Sequence, residues 1–112
     1  MQVSLEPEQR KIVDAVLDLE RIKLITALFE RQPMYLSEIA KTVEIDRATL
    51  AYHLGVLERA GLVSSEYKIL QQPKSKGKAA RYYTLNTLKI RQALAEVGKL
   101  LPNLLLVDPK QS

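Results

Sequence analysis

The strongest constraint on this chain is a change in the spacing of its apolar residues at Gly61. Before Gly61 they recur every three or four positions, which is typical of amphipathic helices. Over residues 63–71 the spacing becomes two, which predicts a strand, and residues 81–85 are rich in aromatic and β-branched side chains. Helical spacing returns at about residue 86. Because 112 residues are enough for only one compact domain, we expect a single domain over residues 1–112, in which a helical bundle carries a β-hairpin.

Helix-boundary residues divide the chain further. Pro7 suits the first turn of a helix, where its missing N–H costs no hydrogen bond. Three polar residues stand where they can cap the N-terminus of a following helix: Asp18, Ser37 and Asp46. Gly61 is expected to end the fourth helix in a left-handed conformation. The predicted fold class is therefore mainly α with a small β-hairpin, in the order α-α-(β)-α-α-β-β-α.

The apolar stripes indicate which helix faces enter the core. The second helix is expected to turn five side chains inward: Leu19, Ile22, Ile25, Leu28 and Phe29. The third helix is short, at about residues 38–42, and its predicted buried side chains are Ile39, Ala40 and Val43. The fourth helix is expected to bury Leu50, Leu54 and Leu57.

Composition excludes several classes of protein. The chain has no Cys and a single His, which removes thiolate metal sites, cysteine nucleophiles and His clusters for zinc. No nucleophile–base pair, phosphate-binding loop or carboxylate pair stands out, so we expect no enzyme, no cofactor and no metal. No apolar run approaches the roughly 20 residues that span a bilayer. The sequence therefore predicts a soluble, cytoplasmic protein without a membrane partner.

Charge is distributed unevenly along the chain. Residues 1–66 carry 8 basic and 11 acidic side chains, whereas residues 67–112 carry 9 basic and 2 acidic ones, which together give the net charge of +4. Five of the cations fall within residues 68–81, a stretch without an acid: Lys68, Lys74, Lys76, Lys78 and Arg81. Such a stripe attracts polyanions, because neutralising phosphates releases condensed counterions. From charge alone, a solvated lysine-rich loop is an equally good interpretation.

The third and fourth predicted helices are joined by a tight turn and form a helix-turn-helix unit, and the basic hairpin that follows makes it a winged helix. An exposed helix fits the major groove of DNA, while a cationic hairpin can reach adjacent phosphates or the minor groove. We therefore expect a recognition helix over about residues 46–60. The wing is expected over about residues 68–81, on the backbone or in the minor groove.

Two stretches carry a family resemblance. Residues 36–41 read Leu-Ser-Glu-Ile-Ala-Lys, and residues 46–63 read Asp-Arg-Ala-Thr-Leu-Ala-Tyr-His-Leu-Gly-Val-Leu-Glu-Arg-Ala-Gly-Leu-Val. With Tyr-Thr-Leu at residues 83–85, they resemble the ArsR-type winged helix-turn-helix transcriptional regulators over most of residues 10–100. The resemblance implies a dimeric DNA-binding regulator. The absence of Cys departs from the metal-sensing members, and Gly55 stands where the family often has a Lys that contacts phosphate.

The N-terminal half of the recognition helix supplies the candidate base contacts, which are Arg47, Ala48, Thr49 and Tyr52. Arg can pair bidentately with guanine, and Thr can contact a thymine methyl group or a phosphate. His53 fits either a phosphate contact or a hydrogen bond that fixes the helix-turn-helix. The five cations of residues 68–81 are expected on phosphates. Tyr83 is expected in the core of the sheet, whereas Tyr82 could either pack or stack on a base.

The last predicted helix carries an apolar stripe at steps of four, three and four, the spacing of a helix–helix seam: Ile90, Leu94, Val97 and Leu101. Together with the apolar residues 104–107, this stripe is more apolar surface than a small monomer covers easily. We expect residues 86–107 to form a C-terminal dimerisation helix and tail. The ArsR resemblance adds the first helix, with Ile12 and Val16, to the homodimer interface. A tail folded back on its own domain is the alternative.

The sequence therefore predicts a sequence-specific, double-stranded-DNA-binding transcriptional regulator that acts as a homodimeric repressor. An architectural DNA-binding protein with little sequence preference is one alternative, which the Lys-rich wing would suit. A winged helix that binds other proteins is a second, and it would predict an apolar or acidic recognition face. No operator, regulated gene or small-molecule effector can be read from the sequence.

Overall fold

The computed structural model describes residues 5–69 and 77–100. The helices in this part of the chain are α1 (Pro7–Val16), α2 (Leu19–Glu30), α3 (Leu36–Val43), α4 (Arg47–Arg59) and α5 (Thr87–Leu100). The strands are β1 (Met34–Tyr35), β2 (Val63–Ile69) and β3 (Ala79–Leu85). The element order and the mainly helical fold class are those predicted from the sequence.

The strands form a three-stranded sheet in the order β1-β3-β2, and both pairings are antiparallel. In β3, Tyr83 lies opposite Met34 of β1 and opposite Ser65 of β2. Tyr83 and Met34 are both buried, so the predicted core position of Tyr83 is confirmed. The short strand β1 thereby anchors the base of the β2–β3 hairpin to the helical body.

Both aspartates predicted as N-caps are confirmed. The carboxylate of Asp18 accepts a hydrogen bond from the backbone N–H of Arg21 at 3.0 Å, at the start of α2. Asp46 accepts from the N–H of Thr49 at 3.1 Å, at the start of α4. The hydrogen bond from Arg21 is the main cause that lowers the pKa of Asp18, since it stabilises the charged form. A short polar side chain therefore sets where each helix begins.

The end of α4 also follows the prediction. Gly61 has a φ of +75°, in the left-handed region. The N–H of Gly61 donates to the carbonyl of Glu58, and the N–H of Leu62 donates to that of Leu57, both at 2.9 Å. These two bonds satisfy carbonyls that a helix end otherwise leaves free, and they turn Leu62 back onto the core.

The start of α3 differs from the prediction. The predicted N-cap is Ser37, but the helix begins two residues earlier than this implies, at Leu36, with Tyr35 in the cap position. The side chain of Glu38 accepts the N–H of Tyr35 at 3.1 Å. Since this carboxylate already satisfies a free donor of the first turn, no hydroxyl cap is needed.

The inward face of α2 is the largest error of the sequence-based prediction. Leu19, Ile22 and Phe29 are exposed, whereas Leu24, Ala27 and Leu28 are buried and Ile25 is half-buried. Helix α2 is apolar around most of its circumference, so its spacing is compatible with more than one buried face. Its contacts with α3, α4 and β3 select the face that contains Leu24 and Leu28.

The core joins all five helices to the sheet, and it already contains two residues that were expected at a dimer interface. Val16 and Ile90 are almost fully buried within the single chain. Ile12 is half-buried and packs against the same core. Exposed apolar surface on α5 comes instead from Leu88 and, among the predicted interface residues, from Leu94; Leu101 and residues 104–107 lie outside the described residues.

Candidate nucleic-acid interface

The first turn of α4 presents Arg47 and Ala48 to solvent. The backbone and hydroxyl of Thr49 hydrogen bond to the Asp46 carboxylate, and these bonds hold the pKa of Asp46 below its ordinary value. Thr49 is half-buried, and its backbone N–H serves the cap of α4. Arg47 and Ala48 are the two predicted residues that protrude from this end of the helix.

One turn further along α4, Tyr52 is exposed on the same outer side. Its ring meets the imidazole of His53 edge-on, with 5.2 Å between centroids. Ala51, which the sequence analysis did not single out, is also exposed between Arg47 and Tyr52. The small Ala side chains at 48 and 51 leave the backbone of α4 open to close approach by a base edge or a methyl group.

His53 is the exception to the predicted outer face, since only 5% of its surface is exposed. Its Nδ1 lies 3.0 Å from Nη1 of Arg21, and its Nε2 lies 3.5 Å from Oε1 of Glu20. A guanidinium group can only donate, so Nδ1 must accept and the proton of the neutral ring is on Nε2, facing Glu20. Of the two roles predicted for His53, this geometry fits the hydrogen bond that fixes the helix-turn-helix.

Arg21 connects His53 to the rest of the helical body. Its Nε donates to the carbonyl of Ala15, and its Nη2 lies 3.4 Å from the carbonyl of Asp14. The side chain therefore touches the end of α1 and the middle of α4 while its own backbone starts α2. This contact holds α4 at a defined position relative to α1 and α2.

The wing is tied to α4 by a second polar network. Nε of Arg81 donates to Oγ of Ser65 at 2.8 Å, and Nη2 of Arg81 lies 3.1 Å from Oε2 of Glu58. Oγ of Ser65 in turn donates to the same carboxylate oxygen at 3.0 Å. Arg81 was predicted to contact phosphate, but in the free protein part of its hydrogen-bonding capacity is used by Glu58.

The other wing cations differ in their surroundings. Nζ of Lys68 lies 3.4 Å from Oε1 of Glu66 and 5.5 Å from the centroid of the Tyr82 ring. Tyr82 also packs edge-on against Tyr35, with 5.5 Å between centroids, so the structure places it in packing contacts. Lys78 is exposed and forms no ion pair with a described residue. The predicted phosphate contacts Lys74 and Lys76 lie outside the described residues.

A groove of about 620 Å³ lies between the first turns of α3 and α4 and the wing. We call it the interface groove. Three cations line it, namely Arg47, Lys78 and Arg81, and none of its described lining residues is acidic. The fold thus brings together one predicted base contact and two predicted phosphate contacts that are more than 30 positions apart in sequence. A concave surface lined by cations concentrates the field that attracts phosphates.

Ser37 and Tyr67 are among the lining residues of the interface groove that were not predicted as contacts. Ser37 lies half-buried in the first turn of α3, and Tyr67 is exposed on β2. The signal for Ser37 was available in the sequence, because hydroxyls and backbone N–H groups at the start of a helix often bind phosphate. Tyr67 could have been predicted as a lining residue only from the strand register, in which it pairs with Arg81.

A family model described as a helix-turn-helix domain matches residues 6–66, which is more than half of the chain. The chain belongs to this helix-turn-helix family. The matched range contains α1 to α4 and the beginning of β2. It therefore includes the recognition helix, its cap Asp46 and the His53 contact described above.

Solved structures share the fold over most of the chain. The ArsR-like transcriptional regulator from Rhodococcus sp. RHA1 has a TM-score of 0.64 and 21% identity, and the match covers 86% of this chain and 81% of that protein. The transcriptional repressor BigR from Xylella fastidiosa has a TM-score of 0.58 and 21% identity, and the match covers 77% of this chain and 79% of BigR. M. tuberculosis Rv0081 has a TM-score of 0.64 and 26% identity, and the match covers 90% of this chain and 95% of Rv0081. A comparison with curated protein sequences finds no significant match.

This chain thus has a helix-turn-helix family domain, in a fold shared with solved structures that are described as transcriptional regulators. The winged helix-turn-helix predicted from its motifs is confirmed as the fold, which a solved ArsR-like regulator shares. Within residues 5–69 and 77–100, no three His, Asp or Glu side chains are grouped so that they could hold a metal ion. No helix in the same residues is long and apolar enough to cross a membrane.

Proposed function

We propose that this protein is a homodimeric, sequence-specific repressor of transcription, with α4 in the major groove and the wing on the adjacent backbone or minor groove. The observation that carries the proposal is the interface groove, in which Arg47 of α4 and Lys78 and Arg81 of the wing face one cavity without an acidic side chain among its described lining. A strand of DNA that enters this groove would meet α4 with its bases and the wing with its phosphates.

The two sides of the interface groove have different tasks in this proposal. Arg47 is exposed at the N-terminal end of α4, the part of a recognition helix that meets base edges. Lys78 is a flexible point charge on the wing, which suits a phosphate rather than a base. Base contacts discriminate among sequences, whereas phosphate contacts strengthen binding to all of them.

The first experiment is selection of bound fragments from random duplex DNA, followed by affinity measurements on the selected and a scrambled site. With about 6–10 phosphate contacts in a dimer, log affinity should fall with log salt at a slope of roughly −5 to −9. Arg47→Ala should cost about 1–3 kcal/mol on the selected site and much less on the scrambled one. Lys78→Ala should weaken both alike and reduce the salt slope.

Each outcome of this experiment has a distinct meaning. If Arg47→Ala lowers the affinity for both sites equally, Arg47 does not discriminate among bases, and an architectural DNA-binding protein is favoured. No binding even at low salt would contradict the proposal altogether and would favour a winged helix that binds proteins. Lys23→Ala is the matched control, because Lys23 is exposed on α2 and does not line the interface groove.

The proposed homodimer uses the outer side of α5. Leu94 is 54% exposed there, and Val97, one turn further, is half-buried. A twofold axis that pairs these faces would bury them and place two recognition helices about one DNA turn, ~34 Å, apart. Ile90 and Val16 would support this interface indirectly, because they hold α5 and α1 to the core of each protomer.

Charging this face tests the homodimer. Leu94→Glu should convert a dimer to a monomer in sedimentation and weaken DNA binding strongly, since two linked half-sites become independent. Leu88→Glu is the matched control: Leu88 is 68% exposed on α5 but lies on another side of the helix. A wild-type protein that sediments as a monomer at micromolar concentration would contradict the dimer.

Repression is the regulatory direction that BigR, described as a transcriptional repressor, suggests for a protein of this fold. A transcription assay on a promoter that overlaps the selected site tests it. Fewer transcripts with added protein are expected, and more transcripts would identify an activator.

A further inference from the structure

A second groove, of about 520 Å³, lies between α1, the start of α2 and the C-terminal end of α4. None of its lining residues lines the interface groove. We call it the α1–α4 groove. On α1 it is lined by Arg10, Lys11 and Asp14, which lie about 100–200° around the helix from Gln9, whose side chain reaches Glu96 of α5 at 3.5 Å. The groove and the α5 contact therefore use different sides of α1.

Positive charge dominates the α1–α4 groove. Four cations line it, namely Arg10, Lys11, Arg21 and Arg59, against a single acid, Asp14. Arg10, Lys11 and Arg59 form no ion pair with any carboxylate of the described residues. Four like charges around one concavity repel each other, so an anion bound among them gains from all four at once.

One of these guanidinium groups is held in place by hydrogen bonds. Arg21 is fixed by the carbonyls of Asp14 and Ala15 and by His53. Arg59 folds back along α4 over Gly55, where a Cβ would lie only 3.2 Å from its Nη1. The missing side chain at Gly55 therefore leaves room for the Arg59 guanidinium. Because Arg21 is pre-positioned, its guanidinium loses less entropy when it binds a carboxylate.

Part of the lining of the α1–α4 groove is apolar. Leu5, Val56 and Ala60 are among its lining residues. A volume of this size lies within the range of small-molecule sites, and apolar walls with a few charged groups are their usual composition. Inorganic phosphate or the DNA backbone would satisfy the charges but would leave these walls without a partner.

We infer that the α1–α4 groove binds a small organic anion, a carboxylate on an aromatic or aliphatic body. The carboxylate would lie between Arg10, Arg21 and Arg59, and the body would lie on Val56 and Ala60. Arg21 also holds His53 of α4, so an occupant that draws on its guanidinium acts directly on the position of the recognition helix. This regulatory step rests on the proposed function, whereas binding of the anion does not.

Calorimetry with naphthoate, in the absence of DNA, tests the binding step. One site per chain is expected, and the uncharged naphthamide should bind at least about tenfold more weakly, a difference of about 1.4 kcal/mol. In amide NMR spectra, the shifts caused by naphthoate should cluster at residues 7–15 and 56–60. The double variant Arg10→Gln/Arg59→Gln should bind naphthoate at least about tenfold more weakly. Arg31→Gln, which removes an exposed cation outside the groove, should bind it like the wild type.

Several results would overturn the inference: no binding at millimolar naphthoate, equal binding of naphthamide, an unchanged affinity of the double variant, or shifts confined to residues 35–51 and 63–85. Circular dichroism checks that each variant is folded. We expect both variants to fold, because the exchanged side chains lie on the surface. Affinity for selected DNA, measured with and without naphthoate, tests the coupling. Loss of DNA binding by the protein alone would contradict the proposed function and leave the anion site intact.

Discussion

The contact between His53 and Arg21 predicts a measurable coupling energy. The hydrogen bond joins a charged donor to a neutral acceptor at 3.0 Å, and such bonds contribute about 1.5–3 kcal/mol. Arg21 is half-buried and keeps two backbone carbonyls as partners, so the lower part of this range applies. We expect His53→Phe to lower the free energy of unfolding by about 1–2 kcal/mol, since it removes the acceptor but retains the ring.

A double-mutant cycle with His53→Phe and Arg21→Met isolates the pair. Urea unfolding measures the four stabilities, and all four proteins must be compared at one concentration because a dimer is stabilised by mass action. A coupling energy of about 1 kcal/mol is expected, within the range measured for residues in direct contact. Tyr52→Phe is the matched control, and the loss of its exposed hydroxyl should change stability by no more than about 0.5 kcal/mol.

The same variants separate the two roles that the sequence allows for His53. If His53 positions α4, the salt slope of DNA binding stays unchanged in His53→Phe while stability falls. A slope reduced by about 0.9 for each protomer, with unchanged stability, would show a phosphate contact instead. A coupling energy below about 0.3 kcal/mol would refute the argument from geometry, because additive effects mean that the two side chains act independently.

Three further substitutions have expected outcomes. Gly55→Ala should raise the free energy of unfolding by up to about 1 kcal/mol, because Ala favours the helix and the flexible end of Arg59 can move aside. A lower free energy of unfolding would show that the Arg59 side chain cannot make room for the added methyl group. Gly61→Ala should cost about 1 kcal/mol or more, since its φ of +75° disfavours a Cβ, and a neutral result would contradict the left-handed turn. Glu58→Gln should release Arg81 and steepen the salt slope of DNA binding by up to about 0.9 for each protomer, with a stability change below about 1 kcal/mol because the pair is partly exposed. An unchanged slope would show that Arg81 does not reach phosphate.

Features that depend on a few neighbouring residues could be predicted from the sequence alone. Asp18 and Asp46 start α2 and α4, and Gly61 ends α4, because each acts on backbone groups within one turn of its own position. The change from helical to alternating spacing likewise determined the order of helices and strands. The helix-turn-helix motif, with its exposed Arg47 and its basic wing, followed from the same local patterns.

The tertiary structure alone decided which faces are used. Helix α2 is apolar around most of its circumference, so only its packing against α3, α4 and β3 shows that Leu24 is buried and Phe29 exposed. From the sequence, His53 is a polar residue on the outer face of α4. The structure shows that it is buried, because Arg21, 32 positions away, is its hydrogen-bond partner. A polar side chain can be buried only where its hydrogen bond is satisfied, and an apolar face only where a neighbour covers it. Both conditions depend on residues distant in sequence, and the chain's local pattern contains no information about their position.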